Sequence, residues 1–213
     1  MVSISIKDLL CGKRFRKITT LGCFIQLFNI LGGYNSIYFY SNFILESEGL
    51  NPGLSRIVSM GLGLVSFCFL FIAHPIIDVK GRKPLLLSGF TGMTVSMIVL
   101  GICALYDFPI YVQILLLVVF LFFQSHGPGP VGWVVCGEIL NLNGIVIACV
   151  VNWLCLTLLG ISFPFAVDGI QIYGVFWIFA VINFAGFWFI LLYAPETKGL
   201  DKREIAKMLQ SKN

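Results

Sequence analysis

Gly127-Pro128-Gly129-Pro130-Val131-Gly132-Trp133 interrupts a run of apolar residues, and a carboxylate, Glu138, follows five residues later. Two prolines and three glycines within seven residues predict a broken helix. Each proline lacks a backbone N–H, and its ring clashes with the preceding turn. The run that contains the motif, residues 108–135, carries no Asp, Glu, Lys or Arg. Such a run reads as a membrane-spanning helix, which needs about 20 apolar residues. In lipid, freed backbone groups are tolerated only where protein or a water-filled cavity satisfies them. The motif therefore predicts a helix lining a path through a membrane protein, with Trp133 facing that path. A kink that serves packing alone is the alternative reading.

The rest of the chain carries the same signature. Its 213 residues are 58% hydrophobic and only 11% charged, against about 25% charged in a typical soluble domain. Mean hydropathy is +0.95. This is the composition of an all-α, polytopic membrane protein. Charge-free runs predict six spans, at residues 18–45, 57–77, 84–106, 108–135, 145–167 and 170–194. Membrane β-strands would be about half as long. The chain thus divides into a basic segment (1–17), a six-helix transmembrane domain (18–194) and a tail (195–213).

Thirteen of the fourteen Lys and Arg residues fall before span one, between spans two and three, or after span six; Arg56 alone lies on the other side. The positive-inside rule then predicts that both termini are cytoplasmic. The net charge of +4 follows from this topology, so a nucleic-acid partner is not expected, whereas the lipid bilayer is. Residues 1–17 are mixed and polar with no apolar core, so no signal peptide is expected and span one serves as its own insertion signal. The seven cysteines lie in spans or on the basic side, which argues against a disulfide framework. No CxxC, zinc spacing, Walker loop or nucleophile motif is present, and His74 and His126 read as isolated residues at span ends. Neither metal, cofactor nor enzymatic chemistry is expected.

Span one is unusually polar. Gln26, Asn29 and Gly33 recur at helical spacing and share a face, and Asn35 follows the bend-prone pair Gly32-Gly33. Span five adds Asn152-Trp153. Amides offer donors and acceptors, which suits a neutral polyhydroxyl ligand. The aromatic plane of Trp133 suits the C–H face of a sugar ring. Interhelical hydrogen bonding, worth about 0.6 kcal/mol each, is the competing use of the amides. No carboxylate is read deep in a span; Asp78, Glu138 and Glu196 fall at the basic edge, near Arg82 and Lys83, where they suggest ion pairs between helix ends. A transported cation or proton normally uses an intramembrane carboxylate, so a neutral substrate is predicted.

Five motifs in order carry a family resemblance: Gln26…Gly33-Tyr-Asn35…Tyr38-Phe-Tyr40-Ser41, Asp78-Val-Lys-Gly81-Arg82-Lys83, Gly127 to Trp133 with Glu138, Asn152-Trp153, and Pro195-Glu-Thr-Lys-Gly199. Across nearly its whole length the chain resembles the C-terminal half, helices seven to twelve, of a sugar porter of the major facilitator superfamily, similar to glucose transporters. The resemblance implies that Gln26, Asn29, Asn35, Trp133 and Asn152 contact the sugar. It also implies that Asp78, Arg82, Lys83 and Glu138 belong to a cytoplasmic charge network that latches one state.

The departures bear on function. Asn29-Ile30 stands where the family has paired glutamines, Ser66 where helix eight offers Asn, and Leu156 where helix eleven often has a second Asn. Val79 replaces an arginine, and Glu138 is not followed by the family's Pro-x-Arg-x-Arg stretch. The resemblance implies hexose transport by alternating access, with a second six-helix half or another porter as partner and the plasma membrane as location. The alternative is a non-transporting truncated or regulatory membrane protein that associates with full-length porters.

Overall fold

A computed structural model describes residues 13–200, 204, 205 and 208, with the side chains of residues 13–16, 73, 74 and 78 excepted. Seven helices account for most of this chain: α1 Lys13–Leu31, α2 Tyr34–Ser47, α3 Pro52–Lys80, α4 Arg82–Leu105, α5 Ile110–His126, α6 Pro128–Ile139 and α7 Leu142–Tyr193. There is no strand among the described residues. Local chemistry sets the boundaries. Asn51 and Asn141 cap α3 and α7, their side chains accepting from Gly53 N (2.9 Å) and Gly144 N (2.8 Å). Gly81 turns the chain between α3 and α4 at φ 87°, a conformation glycine adopts without a Cβ penalty.

Seven helices make six crossings. By length and composition, four segments can cross a membrane: Pro52–Ile77, Arg82–Leu105, Ile110–Ile139 and Leu142–Tyr193. The last has 52 residues, about 78 Å of helix, more than twice a bilayer core of about 30 Å. Gln171, at φ 61° and ψ 169°, breaks it into two arms, 142–170 and 172–193. The first crossing is α1 and α2 joined across Gly32-Gly33, with Gly33 at φ 98°. The fourth is α5 and α6 joined at Gly127.

That fourth crossing refines the expectation from the Gly/Pro motif. Only Gly127 leaves the helical region, at φ −114° and ψ −114°. Pro128 and Pro130 begin α6, where first-turn N–H groups have no intrahelical partner, so the prolines forfeit no bond there. Gly127 N still reaches Phe123 O at 3.1 Å, and Val131 N reaches Gly127 O at 3.2 Å. The α6–α7 link is residues 140–141 alone, so Glu138 runs almost directly into the next helix, as its sequence predicts.

Two apolar clusters fill the bundle. One, including Ile25, Leu86, Phe90, Val131 and Val135, lies toward the end where α3 meets α4. The other, including Ile37, Met97, Phe120, Phe163 and Phe176, lies toward the opposite end. Buried polar residues from the middle of five of the six crossings lie at the level between them: Gln26, Asn29, Ser66, Gln124, Ser125, His126, Asn152 and Asn183. The outer surface is apolar, with Phe39, Ile57, Phe71 and Phe165 among its exposed side chains. That arrangement suits a lipid solvent.

Candidate functional site

The polar layer gathers three of the five residues expected at a substrate site. Asn152 Nδ2 donates to Gln26 Oε1 at 3.1 Å, and Gln26 Nε2 donates to Cys136 Sγ at 3.4 Å. Gln26 is fully buried, so its amide ties α1, α6 and α7 together and does not open onto a surface. Asn29 accepts from Gln124 Nε2 at 3.0 Å. Trp133 is 39% exposed on α6. Asn35 is half-buried in the first turn of α2, and its amide makes no hydrogen bond among the described residues.

A cavity of about 310 Å³ opens beside this network, at the low end of the range for small-molecule sites. Tyr34, Tyr38, Ser66, Gln124 and Ser125 line it, with Gly129 and Pro130 from the start of α6. None of the five predicted substrate residues does, but Gln124 connects Asn29 to its wall. Among these residues Gln124 Oε1 is buried without a hydrogen-bond partner, whereas the Ser66 hydroxyl interacts with that of Tyr34. An unpartnered buried polar atom is uncommon and calls for an explanation such as a ligand. The Gln124 acceptor lies just beneath the wall, with no surface of its own open to the cavity. Sequence reasoning missed Gln124. Its signal was the polar triplet Gln124-Ser125-His126 immediately before the glycine–proline break in an otherwise apolar run.

His126 corrects another expectation. It ends α5, but α5 and α6 form one crossing, so this ring sits in mid-span and not at a span end. Its Nδ1–H donates to Phe122 O at 2.8 Å, and Nε2 lies 3.3 Å from Ser88 Oγ. Phe122 and Phe123 flank the ring, with centroids 4.8 and 5.4 Å away.

The charged end of the bundle is more selective than its sequence suggests. Arg82 Nη2 and Nε meet Glu138 Oε1 at 2.8 and 3.0 Å, and Thr197 Oγ1 donates to Glu138 Oε2 at 2.5 Å. Lys83 Nζ donates to Leu191 O at 2.8 Å. Asp78's side chain lies outside the described residues. Glu196, expected as an ion-pair member, instead accepts backbone N–H bonds: Arg82 and Lys83 at 2.9 and 3.0 Å, and Thr197 and Lys198 at 3.0 and 2.9 Å. It thereby caps α4, whose own N-cap, Gly81, has no side chain to do so. A Cβ at Gly81 would stand 2.8 Å from the Glu196 carboxylate. Burial alone would raise the Glu196 pKa, but the four N–H donors outweigh it and hold the carboxyl below its ordinary 4.5.

A six-crossing helical membrane bundle with helices broken at a mid-span polar layer is the architecture of a membrane transporter half, and its likeness to solved structures gives it the fold of half a major facilitator protein. The family model described as "Sugar (and other) transporter" matches residues 2–209, and the chain belongs to that family. It is 30% identical over 217 residues to the facilitated glucose transporter member 2 of solute carrier family 2 from Gallus gallus, covering 98% of this chain and 40% of that protein. To the facilitated trehalose transporter Tret1 of Bombyx mori it is 32% identical over 213 residues, covering 95% and 42%. The chain thus spans about two-fifths of the length of these relatives. Among solved structures, the proton:xylose symporter XylE bound to 6-bromo-6-deoxy-D-glucose superposes with a TM-score of 0.80 at 24% identity, over 90% of this chain and 42% of that one. At that identity the likeness speaks for the fold.

Proposed function

We propose that this chain forms the six-helix body of a sugar porter that holds a neutral monosaccharide and moves it by alternating access against a second six-helix half. The observation that carries this reading is the mid-span cavity of about 310 Å³, lined by the polar side chains of Tyr34, Tyr38, Ser66, Gln124 and Ser125, in a chain of the sugar transporter family. Substrate sites near the midplane, beside broken helices and between two repeats, are the general plan of such transporters. In this reading Tyr34, Tyr38 and Gln124 contact the sugar in this cavity, and Asn35 and Trp133, which lie outside its wall, meet the sugar when the second half closes over it. Asn29, Gln26 and Asn152 hold the wall through Gln124 and Cys136. Arg82, Lys83, Glu138 and Asp78 act at the cytoplasmic end, where both termini of the 18–194 transmembrane domain lie, in the plasma membrane.

Uptake of radiolabelled hexose into proteoliposomes tests the reading, with the chain alone and with the N-terminal six-helix half of a relative co-reconstituted. Saturable uptake with the pair, weakened at least tenfold in KM by Gln124→Leu or Asn35→Ala, is the expected result. Absence of saturable uptake and of hexose binding in both preparations would leave only a non-transporting partner of full-length porters.

A further inference from the structure

The bend at Gly32-Gly33 frees the backbone carbonyl of Gly32 in the middle of the first crossing. In a continuous helix that carbonyl would accept from the N–H four residues on. Here a side chain from the last crossing takes its place. Asn183, in the 172–193 arm of α7, is fully buried, and its Nδ2 donates to Gly32 O at 2.9 Å and to Phe179 O at 2.9 Å. Its Oδ1 has no partner and lies so close that a Cβ on Gly32 would stand 2.5 Å from it. One turn earlier, the Phe179 ring sits where a Cβ on Gly33 would be, at 2.6 Å. Two side chains a turn apart thus hold two consecutive glycines, one through a hydrogen bond and one through contact.

What they hold matters to the cavity. Gly33 begins α2 with no side-chain cap, and α2 carries Tyr34 and Tyr38 on the cavity wall and Asn35 beside them. Farther along, α2 is anchored separately, by Tyr40 Oη donating to Gly160 O at 2.7 Å and, past its end, by Gln113 Nε2 donating to Glu48 Oε2 at 2.6 Å. At its start, Phe179 and Asn183 hold the break itself, while Tyr34 and the buried Ile37 pack into the apolar cluster. We propose that Asn183 is a positioning residue: its amide clamps the α1–α2 break and so sets where Tyr34, Asn35 and Tyr38 stand at the substrate cavity. The clamp itself is a statement about the backbone; its effect on affinity rests on the sugar-site reading above.

Hydrogen–deuterium exchange on the full chain in lipid nanodiscs tests the clamp without a substrate. Asn183→Leu keeps the volume and removes the bond; Asn183→Ser shortens the side chain and supplies a second variant if the first is poorly folded. The expected result is faster exchange of the amides of residues 33–37, by about fivefold to tenfold, with α4 amides unchanged. Unchanged exchange at 33–37, or an equal rise throughout the bundle, overturns the proposal, the latter because it marks a purely structural residue. A second measurement, D-glucose binding by the same preparations with the complementary half present, separates the two readings. Faster local exchange with weaker glucose binding supports both. Faster local exchange where the parent itself binds no glucose upholds the clamp and sinks the sugar site.

Discussion

Gly89→Ala should destabilise the bundle through a contact that no side-chain rotation can relieve. Gly89 lies on α4 where that helix meets the α5–α6 break. A Cβ there would press on Pro128 Cδ and stand 2.8 Å from Gly127 Cα and 3.1 Å from Phe123 O; from the other side, a Cβ on Gly127 would stand 2.7 Å from Gly89 Cα. The obstacles are backbone and a proline ring, so relief requires α4 to move off the break. Overpacking of this kind costs about 1–3 kcal/mol. Alanine also gains up to about 1 kcal/mol of helix propensity over glycine, which masks part of the loss. Gly137→Ala, in α6 with nothing within 4 Å of the added methyl, carries the propensity gain alone. The difference between the two variants therefore isolates the clash, at about 1–3 kcal/mol. Reversible unfolding of the purified chain in mixed detergent micelles, followed by tryptophan fluorescence, measures it. If the two variants unfold within about 0.5 kcal/mol of each other, the close approach of α4 to the break is not a constraint on the fold, and the argument fails.

Three further outcomes follow from the hydrogen bonds. The depressed pKa of Glu196 means that its contribution to stability is complete above pH 4.5 and is lost as pH falls through the lower folded value. The unfolding midpoint of the parent should thus drop in that acid range while Glu196→Gln shows a flatter profile; parallel profiles would refute the cap. Arg82→Gln strips two bonds from a carboxylate that is only 26% exposed and should cost about 1.5–3 kcal/mol, whereas Arg82→Gln with Glu138→Gln should cost less, because no charge is left part-buried. A double variant at least as damaging as the single one would count against that pairing. A double-mutant cycle on Gln26→Leu and Asn152→Leu should return a coupling of about 0.6 kcal/mol, and at most about 1.7, in chemical unfolding; zero coupling would mean that the 3.1 Å bond does not persist in the folded protein.

The crossings and the breaks could be read from the chain because they depend on local facts: charge-free length, proline chemistry and glycine pairs. The partners of the buried amides could not. Periodicity places Gln26 and Asn29 on one face of α1, but it does not say that the facing residues are Asn152, 126 positions on, and Gln124, 95 positions on. Nor does it show that Glu196 would accept from the α4 backbone, since the donors are main-chain groups common to every sequence. His126 was misplaced because charge-free length sets the far end of a span too early: in the run 108–135 it lies in the last third, whereas the crossing continues to Ile139 and puts it near the middle. A common cause connects these cases. Each interruption of a membrane helix frees backbone groups where no water competes for them, so polar side chains must collect at that depth. Asn183 answers Gly32 directly. Asn29 and Gln124 lie one on each broken crossing and bond to each other, and Gln124 also lines the cavity. The side chain that repairs the Gly32 break and the side chains that line the cavity thus belong to one layer. A substitution in that layer is expected to move the position of a broken helix and the affinity of the cavity together.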